Sequence, residues 1–266
     1  MIKSSEELKS YWDSYSETYV INCEVSTTGI FHNMIPLCRL KQDSKVLEVS
    51  CGSGNGLEIL RNYLPSSITI YGSDISPKMI EKAQEKNLVN VHLTVADNEN
   101  LPYSENFCDR YIASLSLNIV PNPETMLKEA FRVLVPGGIA VFSVLGREEP
   151  TNLSTLVSKS CKTLGLVSNY RSIFYLNNDQ NLRTLLKSAG FINVLTFYTS
   201  SCFPLTSIES ALNVAKEMSA VREIKNSSYE KYAQLEGLLI EKISEVFNNG
   251  QLFTFDALIA VGEKII

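Results

Sequence analysis

Lys45-Val46-Leu47-Glu48-Val49-Ser50-Cys51-Gly52-Ser53-Gly54-Asn55-Gly56-Leu57-Glu58-Ile59-Leu60 decides the fold. It opens as a short apolar run rich in β-branched residues. It closes in a helical pattern, with Leu57, Leu60 and Leu64 at i, i+3 and i+7. A glycine turn lies between the two, so the stretch reads as a buried strand feeding a tight turn that opens a helix. Gly52 and Gly54 lack Cβ, which admits positive φ and close approach of a ligand to the backbone. The unpaired N–H groups of the following helix start face that ligand. A turn that uses glycine only for tightness is the plain alternative.

The next stretch favours the ligand. Ser67-Ile68-Thr69-Ile70-Tyr71-Gly72-Ser73-Asp74 is a second apolar strand ending in an acid. An acid roughly 20 residues past a glycine turn is placed to accept hydrogen bonds from ribose hydroxyls. The pair of strands therefore predicts a nucleoside at the carboxyl edge of a parallel sheet.

The pattern Glu48-x-Ser50-x-Gly52-x-Gly54, then Gly72-x-Asp74-x-Ser76-Pro77-x-Met79, resembles class I S-adenosylmethionine-dependent methyltransferases. Within them it is most similar to the small-molecule group that includes the ubiquinone and menaquinone methyltransferases. A charge argument points the same way. A carboxylate at the strand end, Glu48, suits a ligand with a cationic ammonium group and suits pyrophosphate poorly. The first glycine of the family's turn is Ser50 here; if that position needs positive φ, serine costs ~1 kcal/mol.

The resemblance implies a Rossmann-like, doubly wound α/β fold with a seven-stranded sheet. That sheet is mostly parallel, with the last strand antiparallel and inserted beside the sixth, and has helices on both faces. It also implies S-adenosylmethionine as cofactor, with S-adenosylhomocysteine as product. The cofactor residues it implies are Tyr19, Glu48, Ser50, Gly52, Gly54, Asp74, Ile75, Met79, Ala96, Asp97, Asn98, Ser114 and Leu115. Ile75 or Met79 would lie against the adenine. Asp97 can accept a hydrogen bond from an exocyclic amine, and its family counterpart does so.

The rest of the chain fits around this core. The first 40 residues read as two helices. One carries the aromatic stripe Leu8, Tyr11, Trp12, Tyr15 and Tyr19, which is either core packing or a lid, with Tyr15 and Tyr19 as lid residues. The second, Thr28 to Leu40, carries His32 on its surface. Ser76 caps a helix whose first turn holds Pro77 and whose inner face is Met79, Ile80 and Ala83. Val91 to Asp97 is a third strand, expected to be buried, with His92 inside it. Cys108 to Leu115 is the fourth, and its rim continues through Ser116-Leu117-Asn118-Ile119-Val120. The Asn/Asp-Pro-Pro-aromatic motif of many amino-methyltransferases is missing there. So are the histidines that many small-molecule relatives place at Asn118 and Ile119. Asn122-Pro123-Glu124 starts a helix with Leu127, Ala130, Phe131 and Leu134 inward. Val135 to Gly138 is a turn, and Ile139 to Leu145 a fifth strand.

Pro150 to Asn178 reads as an inserted helix and loop, and Asp179 to Ala189 as an amphipathic helix. Phe191 to Tyr198 is a sixth strand, Ile208 to Asn248 one or two helices, and Phe253 to Val261 a final strand. The expectation is one methyltransferase domain over 1–266. It has a helical lid at 1–40, a cofactor core at 45–145, cap insertions at 150–178 and 206–248, and a final strand at 251–264. The insertions either cover the acceptor, pack on the sheet or form a dimer contact. Phe174, Tyr175, Tyr198 and Phe203 would give an aromatic pocket, and Tyr15 and Asn118 would join them in holding the acceptor.

Composition bounds the function. Of 266 residues, 44% are hydrophobic and 20% charged, which suffices for a sizeable core. The net charge of −5 and the lack of a Lys/Arg run speak against a nucleic-acid face. Six cysteines at 23, 38, 51, 108, 161 and 202 show no metal or disulfide spacing, which fits reduced thiols in a cytoplasmic setting. No metal site, transmembrane run or leader is expected. The reaction expected is methyl transfer to a small, apolar or aromatic acceptor. Glu24 and His32 are the weak base candidates and Asn118 an orienting one; no residue announces catalysis. A catalytically silent binding or assembly protein and a nicotinamide oxidoreductase are the alternatives.

Overall fold

A computed structural model describes residues 2–166 and 171–265. Its first half alternates strand and helix: α1 (Ser5–Asn22), α2 (Glu24–Met34), β1 (Val46–Val49), α3 (Asn55–Tyr63), β2 (Ile70–Asp74), α4 (Pro77–Glu85), β3 (Val91–Val95) and β4 (Cys108–Ala113). The second half runs α5 (Pro123–Val133), β5 (Leu134–Leu145), α6 (Asn152–Thr163), α7 (Asp179–Ser188), β6 (Ile192–Cys202), α8 (Ile208–Glu217), α9 (Ser219–Ser227), α10 (Tyr229–Asn248) and β7 (Thr254–Glu263). The strands form one seven-stranded sheet in the order β3-β2-β1-β4-β5-β7-β6. Strands β1 to β5 are parallel, and β7 runs antiparallel between β5 and β6. This is the Rossmann-like architecture that the family resemblance implied.

Strand β1 is buried along its whole length, and alternate residues face opposite layers. Leu47 and Val49 join the cluster under α5 and α7, with Tyr111, Phe142 and Leu258. Val46 joins the cluster under α2 and α3, with Ile112, Val141 and Ile259. A third cluster ties α6, α8 and α10 together through Leu153, Val157, Val214, Leu235 and Leu239, and forms a helical cap beside the sheet. Each fully buried aliphatic side chain contributes about 1.5–3 kcal/mol.

The local signals behave as their chemistry dictates. Ser76 Oγ accepts from the Met79 N–H at 3.1 Å, and Asn122 Oδ1 accepts from the Thr125 N–H at 3.0 Å, each ahead of a proline in the first turn.

Several boundaries differ from expectation. The second helix starts at Glu24 and ends at Met34; Pro36, which has no N–H to donate, forces a short 3-10 turn over Ile35–Cys38. Strand β3 is not buried. It is a sheet edge, and His92 and Val95 are exposed. Strand β4 stops at Ala113, because Leu115 has φ +52°. The Val135–Gly138 turn lies inside β5: the β4 register jumps from Cys108↔Leu134 to Arg110↔Ile139, while Gly137 and Gly138 exchange hydrogen bonds with Lys264. Strands β6 and β7 run past their expected ends, pairing as far as Cys202↔Thr254. The span 208–248 holds three helices rather than one or two. Phe131 is only half-buried, its ring edge-on to Phe191 at 5.3 Å.

Candidate functional site

A cavity of about 950 Å³ opens at the carboxyl ends of β1, β2 and β4, under α1 and beside the cap. It gathers Tyr15, Tyr19, Glu48, Ser50, Gly52, Asp74, Ile75, Met79, Asp97, Asn98, Ser114, Leu115, Asn118 and Phe174 into one wall. These residues span more than 150 positions of sequence; the parallel sheet brings them to one rim.

Glu48 is the electrostatic centre of that rim. It is 3% exposed, and its Oε2 has no hydrogen-bond partner among the described residues. Burial, with Asp74 adding like charge, pushes its carboxyl well above the usual carboxylate range. Gly56, one turn into the site, is what leaves room for it. A Cβ there would sit 2.2 Å from Glu48 Oε1 and 2.6 Å from the Phe31 ring.

Asp74 is also buried, but it is supported. Its Oδ2 accepts from the Gly52 N–H at 3.0 Å and its Oδ1 from the Ser76 N–H at 2.9 Å. Burial raises its pKa to about 6, and those two backbone hydrogen bonds oppose the shift. The carboxylate keeps lone pairs for further donors. Asp97 accepts from the Glu99 N–H at 2.9 Å through Oδ1.

Two non-glycine residues on the rim are left-handed. Ser50 has φ +50°, and its hydroxyl accepts from Asn98 Nδ2 at 2.7 Å. Leu115 has φ +52°, and its N–H donates to Ser143 Oγ at 2.9 Å. Strain of this kind costs about 1–3 kcal/mol and gathers at ligand sites. Gly52, at φ +54°, has the Tyr19 ring 3.9 Å from where a Cβ would be.

The N-terminal helices are tied over this rim by polar contacts. Asp13 Oδ1 accepts from Ser76 Oγ at 2.5 Å and from the Lys78 N–H at 3.2 Å. Glu17 pairs with Lys82 at 2.6 Å. The Ser53 hydroxyl donates to Glu24, and Asn55 Nδ2 donates to Thr28 Oγ1 at 2.6 Å. The hydroxyl of Tyr15 meets the Cys23 sulfur at 3.1 Å, and that of Tyr19 meets Thr27 Oγ1 at 3.2 Å.

Some expected site residues lie elsewhere. Gly54, at φ +85°, caps α3 against Ala83, and Ala96 is packed in the core under the rim; neither lines the cavity. Tyr175 and Tyr198 belong to the opposite layer. Arg171 covers the Tyr175 ring, and the Tyr198 hydroxyl donates to the Asn177 carbonyl at 2.7 Å. Phe174 and Phe203 do line the cavity; the chain turns over 173–176, which puts Phe174 on the cavity side and Tyr175 in the opposite layer. His32 is exposed on α2, away from the cavity, whereas Glu24 lines it. The sequence reading missed Asp13, Glu17 and Phe31. Only the helical period of α1 and α2 hinted at them, and it does not say what a helix covers. Among the described residues no cluster of metal-ligating side chains is found.

Residues 47–142 match the family described as "Methyltransferase domain". The demethylmenaquinone methyltransferase of Staphylococcus saprophyticus is 31% identical over 175 residues, 58% of this chain and 73% of that protein. The malonyl-[acyl-carrier protein] O-methyltransferase of Marinomonas sp. is 29% identical over 58% of this chain and 54% of its own length. The rice 2-methyl-6-phytyl-1,4-hydroquinone methyltransferase 2 (Oryza sativa subsp. japonica) is 37% identical over 40% of this chain and 31% of its own. The chain thus spans about half of the Marinomonas protein and about a third of the rice one. Among solved structures, the [4+2]-cyclase SpnF superposes with a TM-score of 0.63 at 18% identity, over 100% of this chain and 98% of that one. A phosphoethanolamine N-methyltransferase 2 of Haemonchus contortus, in complex with S-adenosylhomocysteine, superposes with a TM-score of 0.54 at 16% identity, over 88% and 52%. These two show the shared fold. The Staphylococcus relative, with the family match over β1 to β5, places the sequence: the chain belongs to the class I S-adenosylmethionine-dependent methyltransferases and has small-molecule quinone methyltransferases among its relatives.

Proposed function

We propose that this chain transfers the methyl group of S-adenosylmethionine to a small, largely apolar or aromatic acceptor. One observation carries the reading: the buried Glu48 carboxylate, with an oxygen that no group among the described residues pairs, at the carboxyl end of β1. A buried carboxylate without a counter-charge is costly unless a cation joins it. The cofactor's ammonium is such a cation.

The other residues fit the rest of the cofactor. Asp74 receives the ribose hydroxyls, Ile75 and Met79 flank the adenine, and Asp97 accepts from its exocyclic amine. The backbone around Ser50 to Gly52 lies close along the ligand, and Tyr19 covers it. Bound there, the cofactor supplies a methyl already activated by positive sulfur.

The protein's share is alignment and exclusion of water. Trp12, Tyr15, Phe174 and Phe203 wall the part of the cavity beyond the rim. Among the described residues no histidine lines it, so no imidazole takes the acceptor's proton. The chain reads as one unit in which α1 and α2 form the lid and α6 with α8 to α10 the cap. The six cysteines are all free, which suits a reducing, cytoplasmic setting. The silent-protein alternative rested on Ser50, and the Asn98 hydrogen bond supports Ser50 in its left-handed conformation.

The test is thermal unfolding of the purified protein with S-adenosylmethionine, S-adenosylhomocysteine or NADH. Ligand at 100 times its Kd adds about 2.7 kcal/mol of stability. Stabilisation by both adenosyl ligands, lost in Asp74→Ala, is expected. Stabilisation by NADH alone would overturn the proposal.

A further inference from the structure

Among the described residues, three buried polar atoms without a hydrogen-bond partner belong to residues lining the cavity: Glu48 Oε2, Ser116 Oγ and Asn118 Oδ1. The cofactor's ammonium accounts for the first. The other two lie on the rim loop after β4, beyond the strained Leu115. Both residues are 4% exposed.

The Asn118 amide is fixed in orientation. Its Nδ2 donates to the Ile173 carbonyl at 3.0 Å. That assigns the nitrogen outward to the 171–176 segment and leaves the carbonyl oxygen as the orphan. The same segment is tied down twice more. Arg171 donates to the Val120 carbonyl at 2.6 Å and to the Pro121 carbonyl at 3.3 Å. Rim loop and segment are thus one hydrogen-bonded wall, and buried Phe174 is its apolar face.

Resting on the methyl-transfer reading, we infer that this wall recognises a hydroxyl on an aromatic acceptor: the acceptor's O–H donates to Asn118 Oδ1, and Ser116 Oγ supports the same group. The chemistry selects this class. An amide oxygen accepts a hydrogen bond but does not take a proton at neutral pH, so it reads a neutral O–H and repels an anionic oxygen. An acceptor without that hydroxyl leaves a buried carbonyl unpaired, and such sites discriminate strongly against it. The neighbouring Phe174, Tyr15 and Trp12 supply the apolar and aromatic contact that a ring requires. Asn118 and Ser116 are specificity-determining residues here, not bases.

The test uses 1,4-dihydroxynaphthalene and its 1,4-dimethoxy analogue as probes. Calorimetry is run under anaerobic conditions on the protein saturated with S-adenosylhomocysteine. The diol is expected to bind roughly ten- to hundredfold more tightly than the dimethoxy compound. Asn118→Leu should abolish that preference, and Ser116→Ala should reduce it severalfold, with S-adenosylhomocysteine affinity unchanged in both. Equal binding of the two probes, binding of neither, or a preference that survives Asn118→Leu overturns the inference. Failure of the wild type to bind S-adenosylhomocysteine would instead overturn the methyltransferase reading. Ser116→Ala, which removes one atom, keeps the test decisive if Asn118→Leu does not fold.

Discussion

Glu48→Gln should move stability and affinity in opposite directions. Glutamine preserves the volume that Gly56 leaves open, so packing against Phe31 and α3 changes little. What changes is charge. Burial first, and Asp74 second, hold the Glu48 carboxyl above its ordinary pKa. A raised folded-state pKa means that the folded protein binds this proton more tightly than the unfolded chain does. The resulting stability is complete below the unfolded value, near 4.5, and is lost as pH rises through the folded value. Glutamine removes that loss. The variant without ligand should therefore match the wild type at about pH 4, below the unfolded value, and exceed it at about pH 8. Cofactor affinity goes the other way. A hydrogen bond to a charged group contributes about 1.5–3 kcal/mol, so S-adenosylhomocysteine should bind roughly ten- to hundredfold more weakly. Urea unfolding at the two pH values, with calorimetric titration of S-adenosylhomocysteine, reads both effects. A variant with wild-type affinity and the same stability difference at both pH values would refute the argument.

Gly56→Ala places a methyl against Glu48 and Phe31 and should cost about 1–3 kcal/mol, together with most of the cofactor affinity; thermal unfolding with and without S-adenosylhomocysteine checks it. Asp13→Ala removes the acceptor that holds α1 to α4, and S-adenosylhomocysteine should dissociate severalfold faster. Trp12, the only tryptophan, lines the cavity, so stopped-flow fluorescence can follow that release. Burial pushes Asp256 up, but hydrogen bonds from Arg147 and Ser200 more than reverse this, so its carboxyl lies below the usual range. Its stability is present above the unfolded value and lost as pH falls through the folded one. Asp256→Asn should cost about 1–2 kcal/mol near neutrality and flatten the acid limb of the unfolding curve.

The cofactor half was legible because its information is local. The run from Lys45 to Leu60 names strand, turn and helix, and Ser76-Pro77 and Asn122-Pro123 announce helix starts by side-chain chemistry alone. What was not legible depends on position in three dimensions. His92 sits in an apolar strand, and nothing in its neighbours says that the strand is an edge. Tyr175 and Tyr198 have the right chemistry for an aromatic pocket but face the other layer, a matter of the 173–176 turn for the first and of strand register for the second. Asp13 is an ordinary helix-surface acid in sequence, and only the docking of α1 on α4 turns it into a cap. The three-helix division of 208–248 escaped because Met218 and Ser228 take extended conformations without glycine or proline beside them.

The place of β7 in the sheet has a kinetic consequence. Among the described residues strand β6 has a single sheet neighbour, β7, which is made after it and must enter between β5 and β6. As the chain is synthesised, β1 to β5 can zip together in parallel pairs while β6 has no partner. During that interval the outer edge of β5 and both edges of β6 offer unpaired N–H and C=O groups. Completion then depends on a contact between β5 and β7 across more than a hundred residues, the kind of distant closure that slows folding. The vulnerable species is the one in which five strands are paired and the sixth waits, and a strand from another copy of the chain can take the place meant for β7.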